Sequence, residues 1–294
     1  MVDAVTREEQ HRRYRAVAER KRVVKLVLRY VVLSLLALVY AFPFLWMVGT
    51  SLTPADVVIQ RDRPLFPTDP AWSNYKDALT VLPFHIFLKN TLLVAIPTTL
   101  GGAMAAASVA FAFARLRFPF RDALFVLVLS TMMLPPQVTM IPTFILFTIP
   151  HWIDSLLPLI VPSFFGGGAF YIFLLRQFFM TIPTELDEAV KIDGGSSFHV
   201  LRHVIFPLSK PALTTVALFS FIAHWNDFLG PLIYTQSMQK KTLAVGLTAF
   251  KSLHGTEYHL LMAASVAVLL PILIIFFFSQ KYFVEGIVTS GLKV

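Results

Sequence analysis

The sequence predicts an all-α polytopic membrane protein with six transmembrane helices, and three observations carry that prediction. Hydrophobic residues make up 56% of the 294 positions and charged residues 14%, against about a quarter charged in ordinary soluble domains. Several apolar runs exceed the roughly 20 residues an α-helix needs to cross a bilayer core. These runs are continuous rather than alternating, which argues against a membrane β-barrel, whose strands alternate with period two.

Taken in order, residues 1–22 form a hydrophilic tail of mixed charge that includes Arg7, Arg12, Arg13, Arg15 and Arg20. The run Val23–Trp46 is too long for a cleaved signal core and reads as a retained first span. Residues 50–86 hold Pro54, Pro64, Pro67, Pro70 and Pro83 and form an extramembrane loop. The second span covers about 87–114, where Gly102, Ala106, Ala110 and Ala114 recur every four residues, a stripe that lets a neighbouring helix pack closely. Arg115, Arg117 and Arg121 then flank Pro119 in a basic turn. The third span, about 123–147, is interrupted by Pro135 and Pro136, which kink a helix by removing backbone donors. The fourth, about 156–178, contains Gly166, Gly167 and Gly168. The fifth covers about 212–234 and the sixth about 260–283, with an outer loop at 235–259 between them. The six-span domain is thus expected at 23–283, with a short tail at 284–294.

Charge sets the orientation. With the N-terminus inside, 18 of the 25 Lys and Arg residues lie on inner segments. The positive-inside rule then puts both termini and the segment around 176–210 in the cytoplasm. The net charge of +8 therefore reflects membrane topology, and no nucleic-acid partner is expected. The chain has no Cys, so disulfides and thiolate metal sites are excluded.

The connection at 182–211 is the most punctuated part of the chain. Thr184 is placed as an N-cap with Asp187 as its reciprocal partner. Glu185, Asp187 and Glu188 put negative charge on the first turn and Lys191 puts positive charge near the end, as the helix dipole favours. Asp187 and Lys191 also stand four apart, a weak helix-face pair. Gly194 and Gly195 stop the helix, and a second amphipathic run from Phe198 to Phe206 leads to Pro207. Ser196 and Ser197 read as caps of that second helix. His199 and His203 share a helical face but have no third ligand in sequence, so no metal site is expected.

On Glu188, Ala189, Asp193, Gly194, Val204 and Pro207 this connection resembles the EAA loop of ABC-importer permeases, with Val190 in place of the second Ala and Phe206 in place of the usual Leu. FLLRQFF at 173–179, IPTELDEA at 182–189, WNDFLGPL at 225–232, TLAVGL at 242–247 and QKYFVEGIVTSGLKV at 280–294 resemble the carbohydrate-uptake, maltose-permease-like branch. The resemblance covers all but the first 22 residues. It implies that 182–211 forms a coupling helix docked on a separate ATPase subunit. Glu188 would be the charged contact, and Gly194 a position where a side chain spoils the turn or the groove. It further implies a sister permease making a heterodimer, two ATP-binding subunits carrying ATP and Mg, and an extracytoplasmic solute-binding protein. For Glu188, compensation of the helix N-terminus alone is the competing reading.

The chain contains no Gly-Lys dipeptide, so no phosphate-binding sequence of the type G-x-x-x-x-G-K-[ST] exists in it, and any ATP hydrolysis is expected in another subunit. No cofactor and no catalytic residue are expected here. In the fifth span Trp225, Asn226 and Asp227 suit a sugar, whose C–H face stacks on an indole while its hydroxyls need polar partners. Helix–helix hydrogen bonding explains the same trio equally simply. Pro135, Pro136 and Gln137 mark either a pathway-lining bend or a plain kink. No H-E-x-x-H or G-x-S-x-G motif supports an enzyme. An ion-coupled secondary transporter would call for inverted repeats and several intramembrane acids, and Asp227 stands nearly alone. A permease for a non-sugar solute such as a glycerophosphodiester is the remaining alternative.

Overall fold

The computed structural model describes the backbone over 2–252 and 255–291, and side chains over 20–251 and 256–280. The basic side chains of Arg7 to Arg15 and those of the terminal stretch beyond Gln280 lie outside the described residues.

Helix α1 (Val2–Ser51) runs straight from the hydrophilic tail into the first span without a break. None of the apolar window within its segment Arg20–Ser51 is buried against the rest of the chain. Its far end is pinned by the following loop. Asn74, on α2 (Ser73–Thr80), donates from Nδ2 to the carbonyls of Ser51 and Thr53, both at 2.9 Å. Arg63 donates to Thr50 Oγ1 at 2.9 Å and stacks over Trp46 at 4.6 Å. The proline-rich segment is therefore tied to the helix it follows.

Helix α3 (Phe84–Arg115) is the central post. Gly102, Ala106 and Ala110 of the predicted stripe are buried on it. The close approach is real: a Cβ on Gly167 would sit 2.6 Å from the Ala106 nitrogen, and the Gly167 φ of +69° already excludes most side chains.

The third apolar run breaks at the tandem prolines into two helices, α4 (Arg121–Ser130) and α5 (Pro136–Thr148), set at 97°. The tandem prolines explain it. Leu134 and Pro135 both precede a proline and are held extended, with ψ of 117° and 134°. Pro136 then starts a new helix at the position where its missing N–H matters least. The fourth run is likewise divided into α6 (Leu157–Ile160) and α7 (Ala169–Phe179), separated by a 3₁₀ turn and three glycines with φ of +135°, +69° and +92°.

Helices α8 (Glu185–Ile192) and α9 (Ser197–Val200) form the polar connection. A π-helical turn, Leu201–Ile205, and α10 (Phe206–Leu208) follow. The chain then bends by 80° into α11 (Lys210–Trp225). Contrary to the expected fifth span, this helix stops at Trp225, and α12 (Leu229–Tyr234) is a separate short helix. The outer loop holds α13 (Leu243–Gly246) and a two-residue ladder between β1 (Lys251–Ser252) and β2 (Gly255–Thr256). Helix α14 (Tyr258–Gly291) closes the fold and stays helical through most of the expected tail. By length and composition four helices qualify as spans among the described residues, or up to six if each bent pair counts as one.

Two apolar clusters divide the molecule lengthwise. One joins Ala106, Ala110 and Phe113 of α3 to Leu175 and Phe179 of α7 and Val200 and Ile205 of the polar connection. The other joins Phe84 and Phe87 of α3 to Trp225, Leu243 and Ala263. Polar contacts sort the loops in the same way. Asn90 donates to the carbonyls of Gln239 and Lys241 at 2.8 and 2.9 Å. Asp154 accepts from the Gln236 and Ser237 amides at 2.9 and 2.8 Å. Arg115 and the connection 182–211 meet at the opposite end.

Candidate functional site

The connection folds as two short helices around a glycine corner, but its first turn differs from the expected capping box. Thr184 has helical angles and makes no side-chain cap bond. Asp187 points inward instead, its carboxylate 3.5 Å from the guanidinium of Arg115. That partner replaces both the expected Thr184 cap and the expected Lys191 pair. Local sequence favours a cap, but a buried cation reached from another helix outweighs it.

The corner is as the double glycine predicts. Gly194 takes φ of +79°. Its amide donates to the Lys191 carbonyl at 3.0 Å and that of Gly195 to the Val190 carbonyl at 2.8 Å. These two bonds form a Schellman motif, which satisfies carbonyls left open at the helix end. The capping box lies one helix later. Ser196 donates its amide to His199 Nδ1 at 3.2 Å, and its hydroxyl lies 2.9 Å from the same nitrogen. An Nδ1 that accepts puts the His199 proton on Nε2. His203 stacks on His199 at 5.9 Å, and among the described residues no group of three or more metal-binding side chains occurs.

The outer surface of this knob mixes charge with bare hydrocarbon. Glu188, Ala189, Lys191, Asp193, Gly194 and Pro207 are all exposed. Among them stand Ile192 at 85% exposure and Phe198 at 65%. Beside them a groove of about 620 Å³ is lined by Thr184, Asp187, Glu188 and Lys191 on one wall and by Arg115, Arg117 and Arg121 on the other.

The expected pathway residues are not brought together as a set. Trp225 is 2% exposed, stacks on Phe221 at 5.4 Å and donates from Nε1 to the Val268 carbonyl at 3.3 Å. This is a packing position. Asn226 is exposed and bonds back to the Ile222 carbonyl at 2.9 Å. Asp227 accepts from the Gly230 amide at 3.1 Å, capping the start of α12 where the helix breaks. Pro135 and Gln137 are exposed at the α4–α5 corner.

Sequence reasoning missed the role of Arg115. It donates to the carbonyls of Phe179 and Ile182 at 2.9 and 2.6 Å besides facing Asp187. The available signal was its place as the first charge after an uncharged run from Asn90 to Ala114.

The described residues thus combine interrupted apolar helices with a two-helix polar knob at one end. Residues 98–288 match the family described as the binding-protein-dependent transport system inner membrane component, and the chain belongs to that family. It is 32% identical to the arabinooligosaccharides transport system permease protein of Bacillus subtilis, over 92% of this chain and 95% of that one. It is 31% identical to the sn-glycerol-3-phosphate transport system permease protein of Yersinia pestis, over 89% and 95%. The fold matches a crystal structure of a bacterial ABC transporter involved in the import of the acidic polysaccharide alginate, with a TM-score of 0.77 and 24% identity over 87% of this chain and 95% of that one.

Proposed function

We propose that this chain is the permease subunit of an ATP-driven importer that moves a sugar or oligosaccharide across the cell membrane by alternating access. The solute is delivered by an extracytoplasmic binding protein, and a sister permease completes the pathway. ATP with Mg binds and is hydrolysed on two separate subunits, and the α8–α9 knob docks on them from the cytoplasmic side, where both termini also lie.

The observation that supports this reading most is the knob surface, where Ile192 and Phe198 are exposed on either side of the Gly194 corner of a helix pair that also exposes Glu188. Such a surface fits a groove on a partner: apolar anchors supply affinity and Glu188 supplies orientation. The sugar assignment is supported by the arabinooligosaccharide relative and by the resemblance on WNDFLGPL. The glycerol phosphate relative, at similar identity, keeps a phosphorylated solute as the second reading.

The test is reconstitution with the ATPase pair and the binding protein. Gly194→Asp and Ile192→Asp are expected to insert normally yet lose ATPase copurification or solute-stimulated hydrolysis. Wild-type stimulation in both variants overturns the docking assignment. Vanadate-sensitive uptake of labelled oligosaccharide against labelled glycerol 3-phosphate separates the two solute readings.

A further inference from the structure

We infer that Arg115, Arg176 and Asp187 form a clasp that fixes the angle of α8 to the spans, and that solute-stimulated ATP hydrolysis depends on it. The inference rests on the docking reading above. The clasp is reciprocal. From the end of α3, Arg115 donates to the carbonyls of Phe179 and Ile182, in and just beyond the last turn of α7. From that last turn Arg176 donates Nε back to the Phe113 carbonyl of α3 at 3.3 Å, and its guanidinium lies 4.1 Å over the Phe125 ring of α4. Helix C-termini leave carbonyls without partners and carry partial negative charge, so a cation from the neighbour satisfies both needs. Three helices are thereby tied at one end.

Asp187 attaches the knob to this tie. Its side chain is 10% exposed and that of Arg115 is 4% exposed. One residue on, Glu188 faces the surface, because successive side chains on a helix are turned by about 100°. One turn of α8 thus holds the spans with one acid and offers the other outward. The pair is an inefficient stabiliser. At 3.5 Å it is a long contact, and Arg115 Nε and Asp187 Oδ1 are buried without a hydrogen-bond partner among the described residues. Buried ion pairs with incomplete hydrogen bonding add little to stability, so the worth of this one lies in position. A push on Ile192 or Gly194 passes through Asp187 to the ends of α3 and α7. Arg115 and Asp187 are positioning residues, not partner contacts.

Asp187→Asn removes the charge while keeping the shape, and the absence of native Cys allows spin labels at Leu116→Cys and Lys191→Cys across the groove. In the assembled transporter Asp187→Asn is expected to keep ATPase copurification and basal hydrolysis within about twofold. The label-to-label distance distribution should broaden, and solute stimulation should fall at least tenfold. Arg115→Lys, which keeps the charge but loses the planar fork, should give the same pattern. An unchanged, narrow distribution in Asp187→Asn overturns the clasp. So does wild-type stimulation in Asp187→Asn when Gly194→Asp abolishes it. Wild-type stimulation in Gly194→Asp itself counts against the docking reading instead, so the two failures are distinguishable.

Discussion

At the scale of single residues, the two adjacent glycines of the knob divide the work. Gly194 needs its positive φ but has open space around it, whereas a Cβ on Gly195 would lie 2.6 Å from Val190 Cγ1 and 2.8 Å from the Val190 carbonyl. Gly194→Ala is therefore expected to cost about 1–2 kcal/mol through backbone conformation alone. Gly195→Ala must displace Val190, so it is expected to loosen the corner, seen as faster proteolysis between Ile192 and Ser197. The sequence announced a helix stop here but not which glycine faced outward, since that depends on the return of α9.

Asp154 gives a residue-scale prediction in pH. It lies in the connection between α5 and α6, and its carboxylate is held below its ordinary value of 3.8 by the Ser237 amide first, then by the Gln236 amide and the Ser237 hydroxyl. A carboxyl lowered in the folded state stabilises above its ordinary pKa and loses that contribution as pH falls through the lower folded value. Hydrogen exchange at the Gln236 and Ser237 amides is expected to be slow near pH 5 and to lose protection, relative to unfolded peptide, only as pH falls below the ordinary carboxyl value of 3.8. In Asp154→Ala the same amides should exchange fast throughout. Protection that persists in the Ala variant overturns the assignment.

At the scale of elements, proline and glycine interruptions decide how much of each apolar run stays one helix. Pro135 and Pro136 turn the third run by 97°, where the composition read as a kink. The difference arises because two consecutive proline rings hold both preceding residues extended, which a helix cannot absorb. The fifth run ends at Trp225 for another reason. Its indole is fully packed against α14, and Asp227 caps a fresh turn, so the backbone changes direction between them. Trp225→Ala is expected to cost about 3–5 kcal/mol by opening a cavity between α11 and α14. Trp225→Phe should lose about 1 kcal/mol with the hydrogen bond. Thermal unfolding in detergent measures both, and the solute KM per folded molecule should be unchanged. A rise in KM without loss of stability would return Trp225 to the pathway.

At the scale of the whole molecule, the loops segregate to two ends, and the clasp and knob occupy the end with the basic turn at Arg115–Arg121. The chain's lack of native Cys makes sidedness directly measurable. A maleimide that cannot cross the membrane is expected to label Lys240→Cys in intact cells and Ile192→Cys only in inverted vesicles. The reverse pattern overturns the orientation drawn from the Lys and Arg count. The apolar window of helix α1 is unburied among the described residues, which leaves it free to face lipid or another subunit.

The sequence alone was enough to establish a helical membrane protein, the polar corner at Gly194 and Gly195, and the family to which the chain belongs. These follow from hydrophobic runs, breakers and short motifs, all local along the chain. Only the tertiary structure decided that Asp187 turns inward to Arg115 rather than capping with Thr184, that Trp225 is packed, and that three apolar runs are divided helices. Each depends on a partner or a packing direction remote in sequence, 72 positions away for Arg115 and Asp187. Spacing within a helix carries no information about what another helix brings alongside.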